Sequence, residues 1–301
     1  MERRPFGRTG LEVSVIGMGC SRLGSIWQGR SELESHAALV EALDSGINYF
    51  DTADVYGRGR SEKILGRTLG RHRERIVIAS KCGFIRTPTA AFNAMLSDRR
   101  LPTLQRSLGL LRTRRCYSSE YLARAVESTL RRLRTDYLDV LMLHSPPTSV
   151  LLSERIPAVL DALKEAGKIR FWGISARSVS DGLIALQMDG IDCLQIELNA
   201  CDSTARRELL PQARQGGVAV VARQPFGSGD LLARASRAGM DRDLAVAACL
   251  RFALEIEGIA SVIAGMSRPE HVAQNVRAID ERPVARSDLE QLQDLCVRDR
   301  S

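Results

Sequence analysis

Eight short, continuously apolar runs recur along the chain, each followed by a longer segment with helical spacing, and this alternation limits the fold more than any other feature. The runs are Val15 to Gly19, Ile47 to Asp51, Ile76 to Lys81, Tyr137 to His144, Ile169 to Ser175, Cys193 to Glu197, Val218 to Ala222 and Ile259 to Ala264. Helical segments are expected near 31–45, 60–70, 119–134, 152–167, 178–188, 204–215, 241–255 and 269–279, with a terminal one at 287–297. A strand that is apolar on both sides needs cover on both faces, which the crossover helices of a parallel sheet and its closed interior provide. Eight such units in about 260 residues predict an α/β fold, the closed (β/α)8 TIM barrel, rather than an open sheet. No Gly-x-Gly-x-x-Gly turn joins a strand to a helix, so the open dinucleotide-binding alternative lacks its fingerprint. The stretch Arg4 to Val13 reads as an N-terminal β-hairpin, and without a Pro/Gly/Ser-rich linker residues 1–301 are expected to form one domain.

Composition narrows the class. A hydrophobic fraction of 44% and a charged fraction of 26% suit a soluble globular protein, and no apolar run approaches the roughly 20 residues needed to cross a bilayer. Met1-Glu2-Arg3-Arg4-Pro5 leads into no apolar core, so no secretory signal is expected. Seven cysteines without Cys-x-x-Cys pairs predict reduced thiols in a cytoplasmic protein and no metal site. The net charge of +7 includes clusters at Arg71, Arg73 and Arg75 and at Arg131, Arg132 and Arg134. Acidic residues are interspersed and no aromatic residues alternate with the basic ones, so neither a nucleic-acid nor a membrane partner is expected. An anionic small ligand, such as a phosphorylated cofactor, fits the charge better.

Chemistry concentrates at strand ends. The second run ends in Asp51 and is followed by Tyr56, the third ends in Lys81, and the fourth ends in His144. On a barrel these ends open into one mouth. Each has an ordinary explanation alone: a turn cap, a solvated lysine, a packed ring, a barrel histidine. Together they suit carbonyl reduction, in which a hydride reaches carbon and the oxygen needs a proton and charge stabilisation. Tyr56 would supply the proton with its pKa lowered by Lys81, Asp51 would hold Lys81 charged, and His144 would orient the carbonyl oxygen.

These residues carry a resemblance that spans nearly the whole chain. Phe6-Gly7-Arg8-Thr9-Gly10 with Val13-Ser14, the Gly46 to Gly57 block with Ser61-Glu62, Ser80-Lys81, and Asp136-Tyr137-Leu138-Asp139 leading to His144 resemble the aldo-keto reductase family. The resemblance implies a barrel, a nicotinamide cofactor and a catalytic tetrad that falls on Tyr56, Lys81, Asp51 and His144. Gly173-Ile174-Ser175 is similar to the family's Gly-Ile-Ser-Asn segment at the nicotinamide carboxamide, with Ala176 at the Asn position. Ser175 and Gln195 remain as polar partners there. Arg223 to Leu231 resembles the loop over the pyrophosphate and brings Arg223, Gln224, Phe226 and Ser228; Arg223 stands where many relatives stack an aromatic ring. The segment Ile263 to Asn275 resembles the adenosine-phosphate site, through Gly265, Met266, Arg268, Gln274 and Asn275. Arg268 is its nearest strong cation, pointing to NADP(H) ahead of NAD(H).

The substrate is expected to be a small carbonyl compound or a sugar. Trp27, Phe84 and the region 85–115 are candidate pocket walls, because the stretch from Lys81 to Ser118 is long for a barrel connection and leaves from the active-site face. Tyr117 to Leu122 resembles bacterial sugar and aldose dehydrogenase branches of the family. Two competing readings are a Schiff-base lyase using Lys81 as nucleophile and a cofactor-binding regulatory subunit with vestigial turnover. A lysine paired with Asp51 would stay protonated, which argues against the first. The intact tetrad argues against the second.

Overall fold

The eight apolar runs close on themselves. The computed structural model describes residues 1–23, 31–88 and 111–297. A hairpin of β1 (Arg3–Pro5) and β2 (Glu12–Ser14) precedes β3 (Ile16–Gly19), α1 (Glu32–Asp44), β4 (Tyr49–Asp51), α2 (Arg60–Leu69) and β5 (Val77–Cys82). A second antiparallel pair, β6 (Phe84–Pro88) and β7 (Leu111–Arg115), leads to α3 (Ser119–Leu133), β8 (Leu138–His144), α4 (Thr148–Leu151) and α5 (Arg155–Glu165). The chain continues through β9 (Ile169–Ser175), α6 (Val179–Ala185), β10 (Cys193–Glu197), α7 (Ala205–Gln215) and β11 (Ala219–Arg223). It ends with α8 (Asp230–Arg237), α9 (Arg242–Leu254), β12 (Ile259–Gly265), α10 (Pro269–Asp280) and α11 (Arg286–Val297). Strands β3, β4, β5, β8, β9, β10, β11 and β12 form a closed barrel, every pair parallel, sealed by β12 against β3.

Two buried shells explain the apolar runs. Alternate strand residues face inward, where Tyr49, Val77, Ala79, Val140, Met142, Cys193, Ala219 and Val221 pack together with Phe6, Leu11 and Val13 from the hairpin. The remaining strand residues pack outward against the helices, with Phe50, Ile78, Leu141, Trp172, Ile174 and Leu194 in one cluster. With both faces covered, the polar alternation of a half-exposed sheet disappears. The inward rows then end on polar residues: Tyr49 gives way to Asp51, Ala79 to Lys81, Met142 to His144, Gly173 to Ser175 and Cys193 to Gln195. Gly173 has to lack a side chain, because a Cβ there would lie 2.1 Å from the Cys193 carbonyl.

Four expectations change. The helix placed at 152–167 is the shorter α5, and a separate short helix, α4, precedes it. Pro157 explains the later start: it falls in the first turn of α5, where its missing N–H is harmless, whereas a start at 152 would place it in the helix interior. Helix α8 was not among the expected helices, its signal weakened by Gly227, Gly229 and Gly239 around only eight residues. The long third connection begins and ends as a ladder, with Phe84 paired to Arg115 and Pro88 to Leu111; residues 89–110 lie outside the described residues. Finally, Cys201 and Cys296 form a disulfide across 95 residues of sequence, correcting the expectation of reduced thiols. Spacing could not reveal it, because the bond joins the turn after β10 to the last helix.

Candidate active site

The carboxyl ends of the barrel strands meet in one cleft of about 500 Å³. Register brings its groups to one level: Gly19 pairs with Asp51, His144 with Ser175, Ser175 with Gln195, and Gly265 with Gly19. Asp51, Tyr56 and His144 all line the cleft. Tyr56 rides on a tight turn after β4, where Gly57 and Arg58 take φ of 55° and 60°. That turn is stitched to β5, because Thr52 N–H donates to the Ala79 carbonyl at 2.8 Å and Asp54 N–H to the Lys81 carbonyl at 3.0 Å.

Lys81 is 1% exposed and Asp51 4%. Lys81 Nζ donates to both Asp51 carboxylate oxygens at 2.6 Å and to the Thr52 carbonyl at 3.1 Å. It also stands 5.3 Å from the centroid of the Tyr56 ring. Burial pulls the Lys81 ammonium down, but Asp51 and then Tyr56 outweigh it and hold the pKa above its ordinary value. Burial pushes the Tyr56 phenol above its usual pKa; Lys81 pulls it back without reversing the direction. This revises the sequence expectation of a net lowering, since Tyr56 leaves water to reach the cleft.

His144 meets Tyr56 edge-on, with ring centroids 5.9 Å apart, and the Phe84 ring also packs edge-on against the His144 ring at 4.9 Å. Burial first, then Lys81 and Arg223, lower the His144 pKa to about 3, so the imidazole is neutral and carries one N–H. Its Nδ1 is buried without a hydrogen-bond partner. Tyr117 donates from its hydroxyl to the His144 carbonyl at 2.8 Å. Gly83 makes room for that ring: its φ is +135°, and a Cβ there would lie 2.5 Å from Tyr117.

The predicted cofactor residues divide. Ser175, Gln195, Arg223, Gln224, Phe226, Ser228, Gly265, Gln274 and Asn275 line the cleft. Ser175 Oγ donates to Gln195 Oε1 at 3.1 Å, and Gln195 Nε2 donates to Asp51 Oδ1 at 2.8 Å. Arg223 reaches the Glu197 carboxylate at 3.3 Å and the Ala176 carbonyl at 3.2 Å. The Met266 side chain is buried in the core, and Arg268 lies outside the cleft lining, 3.7 Å from Glu34. Trp27 lies outside the described residues.

Arg22, Ser145 and Arg242, which were not among the expected site residues, also line the cleft. Ser145 follows His144 in a left-handed conformation, φ 54°, and its N–H donates to the Ser175 carbonyl. Arg242 opens α9 directly after the capping residue Asp241, a position that a helix-start pattern marks but cannot aim. Asp139, from the Asp-Tyr-Leu-Asp motif, serves the barrel instead: it pairs with Arg73 at 2.7 Å and Arg170 at 2.9 Å and accepts from Ile78 N–H.

The sequence model of the Aldo/keto reductase family matches residues 15–296. The chain belongs to the aldo/keto reductase family. This aldo/keto reductase is 31% identical to L-galactose dehydrogenase of Arabidopsis thaliana over 98% of the present chain and 93% of that protein. It is 28% identical to an NADH-specific methylglyoxal reductase of Escherichia coli, over 93% and 94% of the two chains. Among solved structures, an aldo-keto reductase of Bacillus halodurans in its holo form superposes with a TM-score of 0.77 at 27% identity, covering 98% of this chain and 96% of that one. The fold of this aldo/keto reductase is therefore the parallel (β/α)8 barrel of its relatives. Among the described residues, no helix is long and apolar enough to cross a membrane.

Proposed function

We propose that the chain is a nicotinamide-dependent oxidoreductase that interconverts an aldehyde, ketone or sugar with its alcohol or oxidised form, using Tyr56 as general acid and base. One observation carries this reading: the buried Lys81–Asp51 pair stands behind the Tyr56 ring at the lining of the cleft. A nicotinamide dinucleotide, when bound, supplies or accepts the hydride. The donor set fits such a cofactor, with hydroxyl and amide groups of Ser175 and Gln195 for the carboxamide. The Arg223 to Ser228 turn suits the pyrophosphate, and Gln274 and Asn275 suit the adenosine end.

In the reducing direction the Tyr56 O–H bond breaks and its proton passes to the carbonyl oxygen as that oxygen gains charge. The ammonium of Lys81 stabilises the phenolate left behind, and Asp51 keeps Lys81 charged and in place. Neutral His144 donates its N–H to the same oxygen. In the oxidising direction the phenolate takes the alcohol proton. A Schiff-base role for Lys81 is disfavoured because its amine stays protonated.

Relatives named for L-galactose, for methylglyoxal and for D-threo-aldose support an aldehyde or sugar substrate. Cofactor preference is read from this chain's own cations. Arg242 lines the cleft together with Gln274 and Asn275, which favours NADP(H) over NAD(H) and moves the role anticipated for Arg268 to Arg242. Fluorescence titration with NADPH and NADH, followed by an aldehyde and sugar panel in both directions, tests the reading. Cofactor-dependent turnover of one of these classes is expected; failure to bind either dinucleotide would contradict it.

A further inference from the structure

Asp54 sits two residues before Tyr56, and the proton transfer just described makes no use of it. Its Oδ2 lies 3.1 Å from the Tyr121 hydroxyl, while its buried Oδ1 has no hydrogen-bond partner. The Tyr121 oxygen accepts from Gly83 N–H at 3.1 Å and also lies 3.3 Å from the Phe84 carbonyl. A phenol has one proton, so it cannot donate to Asp54 and to Phe84 together. With Asp54 ionised, one of those two acceptors loses its donor. With Asp54 protonated, the carboxyl donates to Tyr121, Tyr121 donates to Phe84, and Gly83 N–H keeps its acceptor.

The surroundings favour the protonated arrangement. Glu62 faces Asp54 from α2, Arg132 and Tyr121 from α3, Cys82 from β5, and Tyr117 from just before α3. Arg132 is committed to the Glu62 carboxylate, and Ser80 Oγ donates to Glu62 at 2.7 Å, so Asp54 faces a second carboxylate without a cation of its own. Burial first and Glu62 second raise the Asp54 pKa to about 7, against the lowering pulls of the Tyr121 bond, Arg132 and the Val55 backbone. The far end of this relay is the Phe84 ring, edge-on to His144 at 4.9 Å.

We propose that Asp54 is a proton-dependent positioning residue: protonated, it frees the Tyr121 hydroxyl to hold the Phe84 backbone and so fixes the Phe84 ring against His144, and ionised, it takes that hydroxyl for itself. The proposal rests on the carbonyl-reducing reading for its kinetic consequence, but its proton linkage can be read without turnover.

The test compares the full-length protein with Asp54→Asn and Tyr121→Phe. Asparagine can donate to Tyr121 as the protonated acid does, and phenylalanine removes the relay. For carbonyl reduction, kcat/KM of the wild type is expected to fall about fivefold, the scale of one neutral hydrogen bond, between about pH 6 and pH 8, mainly through KM. Asp54→Asn should stay near the acid-side value at both, and Tyr121→Phe near the alkaline-side value. Thermal unfolding supplies the second readout. Because the folded protein keeps a proton that the unfolded chain has lost above its ordinary carboxylate pKa, the contribution of Asp54 to stability falls as pH rises from about 4 to 7. Asp54→Asn removes that slope, so its melting temperature should gain on the wild type more at about pH 8 than at about pH 5. A stability difference independent of pH would overturn the proton linkage, whether or not any carbonyl is reduced. A pH-dependent stability gain with an unchanged kinetic step in Asp54→Asn would overturn the positioning role. Absence of turnover in every form would contradict the proposed function instead.

Discussion

Lys81 Nζ and the Asp51 carboxylate form a two-point ion pair at 2.6 Å, and Asp51 passes directly into the Gln195–Ser175 hydrogen-bond chain. One carboxylate thus joins the cation behind Tyr56 to the hydroxyl and amide proposed for the nicotinamide. Four barrel strands supply these groups, so their relative positions are set by strand register rather than by flexible loops.

Removing one partner of this pair should be worse than removing both. Asp51→Ala leaves a buried ammonium without its anion and is expected to cost about 3–5 kcal/mol of stability in urea unfolding. Asp51→Leu combined with Lys81→Met should cost less than the two single changes added together, while turnover is lost in all three. Additive stability losses would show that the pair is not coupled.

The phenol also sets a pH dependence. Burial keeps the Tyr56 pKa above its ordinary value, so Tyr56 is protonated at neutral pH. Below that pKa the phenolate fraction grows about tenfold per pH unit, and alcohol oxidation limited by proton abstraction should rise with it through about pH 9. Reduction uses the phenol and should not rise over that range. Rate profiles in both directions check this; a rise in both would place the controlling group elsewhere.

Much of the site was legible because barrel geometry ties chemistry to strand ends. On β4, β5, β8 and β9 the inward row is apolar until its last residue, so that polar end marks the mouth, as Asp51, Lys81, His144 and Ser175 do. The net direction of the Tyr56 pKa was not legible, because burial depends on what packs around the ring. Tyr117, just before α3, and Tyr121, in its first turn, contact strand-end backbone, and their place at a helix start does not say what they meet. Arg242 lines the cleft and Arg268 does not for a similar reason: an arginine near a helix start is visible, but whether it turns to a cleft or to Glu34 is decided by neighbouring helices.

Cofactor preference should follow that difference. Asp241 and Asp243 on either side of Arg242 are engaged, the first by Arg282 at 2.9 Å and the second by the Gln274 amide at 2.6 Å. Arg242→Ala is therefore expected to weaken NADPH by about tenfold, the loss of one charge-assisted contact, and to leave NADH nearly unchanged. Arg268→Ala should alter neither by as much. Equal binding of both dinucleotides in the unaltered protein would defeat the assignment.

The Cys201–Cys296 bond fastens α11 to the turn after β10. Closing 95 residues of chain restricts the unfolded state, and opening the bond with a thiol reductant or by Cys296→Ser should lower stability by about 2–5 kcal/mol. Chemical unfolding with and without reductant measures it; identical curves would show that the bond adds no stability.

The central claim, that Tyr56 moves the proton, is tested most directly by Tyr56→Phe with cofactor binding and turnover measured on the same sample. The account predicts that dinucleotide affinity is kept while kcat falls at least about a hundredfold, the scale of general acid catalysis. A variant that binds the cofactor and turns over at the wild-type rate would contradict it.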